Sequence, residues 1–383
     1  MVFMINFFVL ILMSIFLVAC DNTSLDVDLD NYYSSSHEDF YISSSSGDTL
    51  EYVKPPKLSG REYNPDFNAI VNHLAPPLYS DGKWVMARFE TIKTEMGEYE
   101  VPKYDNFFEI FVSKDDMATW EKSAFSLSGH FDNIKSAFVW NNRFYYVYRD
   151  VFNEERIFFF SSEDGFSWDS IPVVGLPAEH KESIVQEADF HVANNKVFAT
   201  GVGHCYMTSD LETWQEMKLR DGGPACGNNV AWGEPGYRMS GSNGVIFYSD
   251  DGVVWDSTST NGTLNGYSIA YGNGVYVRGT YNGSDALQWS RDGIEWNPVK
   301  YVNSNYSSIF YEGVVFEGGI FLAYGGGMMS GSRSFLLVSA NGQDWVEQDK
   351  VAYRDILRIV YGNGRYVATI YGENYFALFQ KEP

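Results

Sequence analysis

Short apolar runs separated by turn residues fill most of the chain, and this pattern predicts β-strands. In the clearest stretch, an Asn-Gly pair separates the runs Tyr267–Tyr271 and Val275–Tyr281. Asn-Gly between two apolar runs predicts a hairpin, because both turn residues must adopt positive φ. Two more runs follow at Ala286–Ser290 and Glu295–Lys300. The unit is therefore predicted to hold four strands, named A to D in chain order.

A short phrase at the predicted turn between strands C and D occurs six times. Its usual form is Ser-x-Asp-Gly-x-x-Trp, which the second copy in chain order has. The first copy is one residue longer, and the third copy lacks the glycine. The Asp or Asn and the Trp of the six copies are Asp115 and Trp120, Asp164 and Trp168, Asp210 and Trp214, Asp251 and Trp255, Asp292 and Trp296, and Asn341 and Trp345. The tryptophans are 48, 46, 41, 41 and 49 residues apart. A period in the forties fits one four-stranded blade of a β-propeller.

The residue types of the phrase suit a closed turn. The Asp side chain can accept hydrogen bonds from backbone amides two or three residues further on. The glycine provides a positive φ that other residues resist. The Trp at the start of strand D offers a large apolar face, which we expect to pack against the next blade.

The number of units predicts a single, all-β propeller of seven blades. Six units are complete, and a remainder at Leu357–Lys381 has strands A, B and C but no Asp phrase. The segment Thr49–Lys54 resembles a strand D, so we expect this N-terminal strand to close the last blade. Such closure removes exposed sheet edges. A ring of six blades is the alternative.

The N-terminus resembles the signal sequence of a bacterial lipoprotein. An apolar run at Phe7–Ala19 ends in Leu-Val-Ala-Cys, with Cys20 at the position that receives the lipid. The resemblance implies that Cys20 becomes the mature N-terminus, carries acyl chains such as palmitate and anchors the protein to a membrane. An ordinary secretory signal or a membrane anchor is the alternative, since Met1–Asn6 contains no Lys or Arg.

The segment after Cys20 is acidic and rich in serine. Asp21–Glu51 contains eight acids and no base. Such a composition cannot bury enough apolar surface to offset the entropy of ordering, so a disordered tether is predicted. The domains are therefore a signal peptide at 1–19, a tether at 20–47 and a propeller at 48–383. The location is a bacterial cell envelope, with the membrane leaflet left open.

Charge and cysteine content limit the function further. The chain has 50 acids and 27 bases, a net charge of −23, which disfavours nucleic acid as a partner. Besides Cys20, it contains only Cys205 and Cys226. In an exported protein these two can form a disulfide, since both are predicted on the same face of neighbouring blades. Buried free thiols are the alternative. We expect a monomer, and no metal site or cofactor is predicted.

The six turns resemble the Asp-box, or BNR repeat, of sialidase-like β-propellers. The resemblance covers about residues 66–383 and implies a propeller fold. In that family the Asp-box is a structural turn away from the substrate, so the turns imply no activity. Most copies here are one residue shorter than the usual box.

Sialidase chemistry needs three arginines for the substrate carboxylate, and the first usually lies in a Phe/Tyr-Arg-Ile-Pro phrase. That phrase is missing from this sequence. Arg88, Arg149 and Arg278 lie at or near the ends of B strands, and Arg333 follows a glycine run. Arg149, Arg278 and Arg333 are the candidate ligand contacts, with plain surface charges as the alternative.

These observations favour binding over catalysis. We predict a lipoprotein that presents its propeller to a protein or glycan ligand through the B–C and D–A loops. Long loops of this kind are expected at Glu90–Glu109, Val173–Ala188, Leu219–Asn229 and Gly325–Ser334. The alternative is a sialidase-like glycoside hydrolase with a divergent active site, and an assembly factor of a membrane complex is a third possibility.

Overall fold

A computed structural model describes most of the chain from Leu58 onward. The described residues are 58–63, 73–96, 102–129, 136–150, 156–177, 188–201, 203–259, 265–281, 286–302, 309–327, 335–348, 356–370 and 376–381. All of them belong to one compact unit that begins at Tyr52. The predicted signal peptide, Cys20, the tether, Thr49–Lys54 and Arg333 lie outside the described residues.

The described residues form seven blades, each an antiparallel sheet whose first strand lies innermost. Blade 1 contains β2 (His73–Leu74), β3 (Leu78–Ser80), β4 (Lys83–Met96), β5 (Pro102–Ser113) and β6 (Glu121–Gly129). Blade 2 contains β7 (Ala137–Trp140), β8 (Arg143–Asp150), β9 (Arg156–Ser162) and β10 (Asp169–Pro172), and blade 3 contains β11 (Asp189–Ala193), β12 (Lys196–Thr200), β13 (Tyr206–Thr208) and β14 (Gln215–Glu216).

Blades 4 to 6 repeat the same order. Blade 4 contains β16 (Val230–Gly233), β17 (Gly236–Ser240), a 3-10 turn (Ser242–Gly244), β18 (Val245–Ser249) and β19 (Val254–Ser259). Blade 5 contains β20 (Asn265–Gly272), β21 (Val275–Tyr281), β22 (Leu287–Ser290) and β23 (Asn297–Pro298), and blade 6 contains β25 (Ile309–Glu317), β26 (Ile320–Gly327), β27 (Phe335–Ser339) and β28 (Asp344–Glu347). The all-β propeller and its seven blades, predicted from the repeat, are confirmed.

The seventh blade joins the two ends of the described chain. Its strands are β29 (Ile356–Gly362), β30 (Arg365–Ile370), β31 (Phe376–Lys381) and β1 (Leu58–Tyr63). An N-terminal strand therefore closes the ring, as predicted. The choice of Thr49–Lys54 for that strand was wrong: Leu58–Tyr63 pairs with β31 over six residues, from Leu58 opposite Lys381 to Tyr63 opposite Phe376.

Two short strands link neighbouring blades at their outer edges. After β14, the chain of blade 3 continues into β15 (Lys218–Leu219), which pairs in parallel with β19 of blade 4. After β23, blade 5 continues into β24 (Lys300–Val302), which pairs in parallel with β28 of blade 6. Each link covers part of an outer strand that would otherwise be an exposed edge.

Apolar side chains fill the spaces between blades, and the turn tryptophans take part. Trp345 is fully buried in a cluster with Val275 and Val277 of blade 5, and Trp255 is packed with Phe198 of blade 3. The repeated Trp therefore packs against the preceding blade, not the next one as expected. The pleat explains the direction, since alternate residues of a strand face opposite sides of the sheet.

Candidate functional site

The six Asp phrases form closed turns at one end of the propeller. In five of them, Oδ1 of the Asp or Asn accepts hydrogen bonds of 2.7–3.0 Å from the amides two and three residues further on. In the longer first copy, Asp115 accepts from the Thr119 hydroxyl and amide, which lower the pKa of Asp115 to about 2. In the copy without glycine, Leu211 takes the positive φ, 64°.

The tryptophans of these turns also bond and pack locally. Nε1 of Trp168, Trp255 and Trp345 donates to the carbonyl of the turn glycine of the same phrase, at 2.7–3.0 Å. Trp214 is buried against Phe159 of blade 2, and Trp120 packs against the cluster around Trp84. Trp296 packs beside Tyr276. These contacts are internal to the fold.

Cationic side chains from one blade bind the turn carbonyls of the next. Arg238 of blade 4 donates from Nε to the carbonyl of Asp292 at 2.8 Å, and Lys196 of blade 3 donates to the carbonyl of Asp251 at 2.6 Å. Arg365 of blade 7 donates to the carbonyl of Asp116 at 3.1 Å. The turn end of the propeller therefore uses these polar groups to hold neighbouring blades together.

Of the arginines selected from the sequence, Arg88 and Arg278 have described side chains, and each is paired within its own blade. Arg278 is 1% exposed; its Nε donates to Oε1 of Gln288 at 2.8 Å, and its guanidinium stacks on Trp296. Burial lowers the pKa of Arg278 to about 10. Arg88 pairs with Glu109 within blade 1. Arg149 lies near the end of β8, but its side chain is outside the described part of the structure. Arg333 lies entirely outside the described residues. Among the described side chains, these arginines form no triad.

Cys205 and Cys226 form a disulfide with a Cα–Cα distance of 5.1 Å. The bond fastens the loop that leads from blade 3 into blade 4. The amide of Met217 also donates to the carbonyl of Cys205 at 2.8 Å, and the amide of Ala225 donates to the carbonyl of Met217 at 3.0 Å. This predicted long loop is therefore held rigidly at the loop end of the propeller.

Reducing this disulfide should lower the free energy of unfolding by about 3 kcal/mol, because it closes a loop of 21 residues. Urea unfolding with and without a reductant measures the loss. The double variant Cys205→Ala/Cys226→Ala serves as the control and should unfold identically in both conditions. Two free thiols in the denatured, non-reduced protein would contradict the bond.

Blade 1 extends beyond the other blades at the loop end. Its strands β4 and β5 have 14 and 12 residues and stay paired from Trp84 opposite Ser113 to Met96 opposite Pro102. The described strands of the other blades have 2 to 9 residues. At about 3.3 Å per residue, the additional pairs extend the hairpin by roughly 15–20 Å. The segment Glu90–Glu109, expected as a loop, is mostly this hairpin, because its residues continue the ladder.

Inner strands of neighbouring blades are joined by hydrogen bonds around the central channel. The amide of Phe190 donates to Oγ of Ser136 at 3.1 Å, and the amide of Val230 donates to Nε2 of His191 at 2.9 Å. The same connection recurs further along the ring: Ile269 donates to Asn229, Val314 to Ser268, and Ile359 to the hydroxyl of Tyr324. At each step a side chain of one blade accepts from the next inner strand.

One layer of the channel has a polar residue in five of the seven blades, and we call this layer the polar collar. Its members lie five residues before the first residue of each A–B turn. They are Pro76, Ser136, Asp189, Asn229, Ser268, Gly313 and Arg358. Ser136, Asn229 and Ser268 are used in the hydrogen bonds between blades. Asp189 and Arg358 bring opposite charges into the same layer from blades 3 and 7.

Arg358 lies within electrostatic range of residues in distant blades. Its charge acts on the pKa of Tyr146 in blade 2 and of His191 in blade 3, neither of which adjoins blade 7 in the ring. Burial, with a smaller contribution from Arg358, lowers the pKa of His191 to about 4. This agrees with a neutral imidazole that accepts from Val230 through Nε2.

Burial also shapes the charge of the arginine itself. It lowers the pKa of Arg358, whereas four neighbouring groups act to raise that pKa: Tyr324, Asp189, Glu317 and Tyr146. Burial raises the pKa of Glu317 to about 7, against the influence of Arg358. Glu317 nevertheless remains exposed to solvent in the folded protein. The channel therefore holds a cation with two acidic side chains, Asp189 and Glu317, in its electrostatic surroundings.

Exposed apolar residues lie next to the collar on its loop side. Irregular pairing in blades 5 and 7 removes Tyr267 and Leu357 from their ladders, directly before Ser268 and Arg358. Tyr267 is 42% exposed and Leu357 is 48% exposed, two of the few large apolar side chains with that exposure in the described part. The loop end of the channel thus combines an apolar rim with a charged collar.

The sequence reasoning did not select Arg358, Asp189 or His191. It followed the Asp phrases and the B strands, whereas these residues lie on A strands. A usable signal exists: aligning the seven A–B turns shows a polar residue at one fixed position in five of the seven inner strands. Asp189 and Arg358 are the charged residues at that position.

The described residues contain no cluster of three or more His, Cys, Asp or Glu side chains arranged to bind a metal ion. Within the same ranges, no helix has the length and apolar character needed to cross a membrane.

The fold defines the chain as a seven-bladed β-propeller. No family model matches the sequence, and no curated protein matches it. The chain is similar to the structure of YCF48 bound to a D1 peptide, with a TM-score of 0.53 and 14% identity over 87% of this chain and 97% of that chain. It is also similar to RRP9 WD40 repeats, with a TM-score of 0.51 and 7% identity over 86% of this chain and 100% of that chain.

A third similar structure is the extracellular domain of the hybrid two-component system BT4673 from B. thetaiotaomicron. Its TM-score is 0.54, at 11% identity over 85% of this chain and 40% of that chain. At these identities the similarities establish the propeller fold and nothing about ligands.

Proposed function

We propose that this protein is a lipid-anchored binding protein of a bacterial cell envelope and that a protein partner docks on the loop end of its propeller. The observation that carries the binding proposal is the extended hairpin β4–β5. The ring closes through β1 and β31, so it needs no 14-residue strand for its own stability. A paired arm at the end that bears the loops is suited to contact a partner.

The distribution of polar groups also supports the loop end of the propeller as the docking surface. At the turn end, the Asp side chains and the cations of neighbouring blades bind backbone groups of the fold. At the loop end, the disulfide between Cys205 and Cys226 holds one loop in place, which reduces the entropy lost when a partner binds. The solved structure of YCF48 with a D1 peptide is an example of a similar propeller that binds a peptide.

The anchor at Cys20 is proposed from the sequence. The resemblance of the turns to the Asp-box of sialidase-like propellers is likewise a proposal from the sequence, and it concerns the type of propeller. Arg88 and Arg278, two arginines of the hydrolase alternative, are paired within their own blades, which supports our choice of binding as the function. A glycan ligand is an outcome that the binding experiment below would reveal.

Replacing Cys20 with Ala should move the protein from the membrane fraction to the soluble fraction or leave an uncleaved precursor. Incorporation of labelled palmitate should fall to background in this variant. Cys226→Ala is the matched control, since it removes a different thiol and should leave labelling unchanged. Unaltered fractionation and mass of the Cys20→Ala protein would refute the anchor.

The binding proposal is tested by photo-crosslinking in intact cells with the full-length protein. A photoreactive amino acid replaces Glu95 in the hairpin or, as the control, Glu212 in an exposed Asp turn. We expect adducts of defined mass at Glu95 and none at Glu212. Identical adducts at both positions, or none at Glu95, would overturn docking at the loop end. Protease-resistant, glycosidase-sensitive adducts would identify a glycan instead of a protein.

A further inference from the structure

We propose that Arg358 in the polar collar binds the carboxylate at the C-terminus of a peptide segment of the partner, whose last apolar side chain contacts the rim formed by Tyr267 and Leu357. The inference rests on the proposed function and deepens it by naming the chemical group that enters the channel. The proposal gives Arg358 a ligand-binding role that the other residues of the polar collar do not have.

The first argument is the hydrogen-bonding state of Arg358. Among the described residues, Arg358 forms no hydrogen bond and no ion pair, although Asp189 and Glu317 act on it electrostatically. A half-buried cation without a direct partner is costly, because a guanidinium has five N–H donors that need acceptors. An anion that enters the channel from the loop end would supply those acceptors.

The second argument explains why the fold tolerates an arginine at this position of the polar collar. At other steps around the ring, an inner-strand amide needs an acceptor from the preceding blade. Between blades 7 and 1, the corresponding residue is Pro77, which has no N–H. Blade 7 therefore does not need to supply an acceptor at this position. A side chain that only donates hydrogen bonds fits there without leaving a backbone amide unsatisfied.

The third argument concerns the type of anion. Asp189 and Glu317 act electrostatically on Arg358, so a doubly charged phosphate would meet repulsion in the same channel. A carboxylate carries one charge and matches the planar guanidinium with two parallel hydrogen bonds. The exposed apolar rim directly above the collar suits a carboxylate attached to an apolar side chain, as at a peptide terminus.

The chemical test measures how fast phenylglyoxal modifies Arg358 in the full-length protein, with mass spectrometry of its peptides as the readout. The probe is 4-methylpentanoate, a carboxylate with an apolar tail, and the neutral control is 4-methylpentanamide. We expect the acid to slow modification of Arg358 at least threefold and the amide to have no effect. Arg220, an exposed arginine paired with Asp256, is the internal control and should be unaffected. Equal protection by the amide, equal protection of Arg220 or no protection would overturn the proposal.

The peptide test uses a pool of acetylated pentapeptides without Asp or Glu, made with either a free or an amidated C-terminus. The wild-type protein should retain the free-acid pool at least tenfold more than the amidated pool. Arg358→Gln should abolish this difference, Arg358→Lys should retain part of it, and Arg220→Gln should leave it unchanged. Unfolding midpoints of the variants verify that each is folded. Equal retention of both pools by the wild type would overturn the peptide assignment.

The two proposals fail separately. If phenylglyoxal protection and peptide retention are absent while crosslinks at Glu95 persist, the assignment of Arg358 is wrong and docking at the loop end stands. If both effects at Arg358 are present while crosslinks at Glu95 are absent, the hairpin is wrong as the docking element.

Discussion

Deleting Leu58–Tyr63 is expected to lower the melting temperature by about 10 °C or more. The strand forms six residue pairs with β31, and about six backbone hydrogen bonds at about 1 kcal/mol each would be lost. For a domain of this size, a change of 1 kcal/mol moves the midpoint by about 2–4 °C. The deletion also opens the ring and exposes β31 as an edge strand, which favours aggregation.

The matched control deletes Thr49–Lys54, the six residues that the sequence pattern alone suggested as the closing strand. It removes the same number of residues from the N-terminal region and should leave the ladder to β31 intact. Differential scanning calorimetry of both variants measures the two midpoints. A control deletion that is as destabilising as removal of Leu58–Tyr63 would contradict closure by β1.

Replacing Gly342 with Ala should lower the free energy of unfolding by about 3 kcal/mol. Gly342 has φ +76°, and a Cβ there would lie 2.8 Å from Cγ2 of Val277 and 2.9 Å from Cγ2 of Val275 in the preceding blade. Positive φ costs an L-residue about 1–2 kcal/mol, and overpacking between the blades adds about 1–3 kcal/mol. The turn glycine is thus required by both its conformation and the proximity of blade 5.

Gly274→Ala separates these two contributions. Gly274 has nearly the same φ, +80°, but nothing lies within 4 Å of a Cβ at that position. This variant should lose only the conformational part, about 1–2 kcal/mol. Urea unfolding at 25 °C gives both values. Equal losses in the two variants would show that contact between the blades contributes nothing.

The sequence predicted the repeating parts of this propeller well because their signals are local. An Asp that accepts from amides two and three residues further on needs only its own turn, and Asp164 and Asp292 do so in the structure. Asn-Gly hairpins likewise depend on the φ values of two adjacent residues, and Asn273 and Gly274 both have positive φ. The count of blades followed from the spacing of these local signals.

Features that depend on non-local pairing were predicted less well. Both Thr49–Lys54 and Leu58–Tyr63 have the composition of a strand, and only the distance from β31 in the folded ring selects the second. Composition also made Glu90–Glu109 resemble a loop, although cross-strand pairing extends β4 and β5 through it. The direction in which the turn tryptophans pack was decided by the twist and pleat of neighbouring sheets.

The candidate site shows the same division. By itself, the sequence determined a seven-unit β-propeller with closed Asp turns, and it provided the basis for proposing a lipid anchor at Cys20. Only the tertiary structure brought Arg358 into electrostatic range of Asp189, because these residues are 169 positions apart in the chain and closure of the ring places them in the same layer. Likewise, only the structure buried Arg278, which the sequence had selected, between Gln288 and Trp296. Local hydrogen bonding is encoded within a few residues, whereas convergence at a channel depends on how all the blades pack.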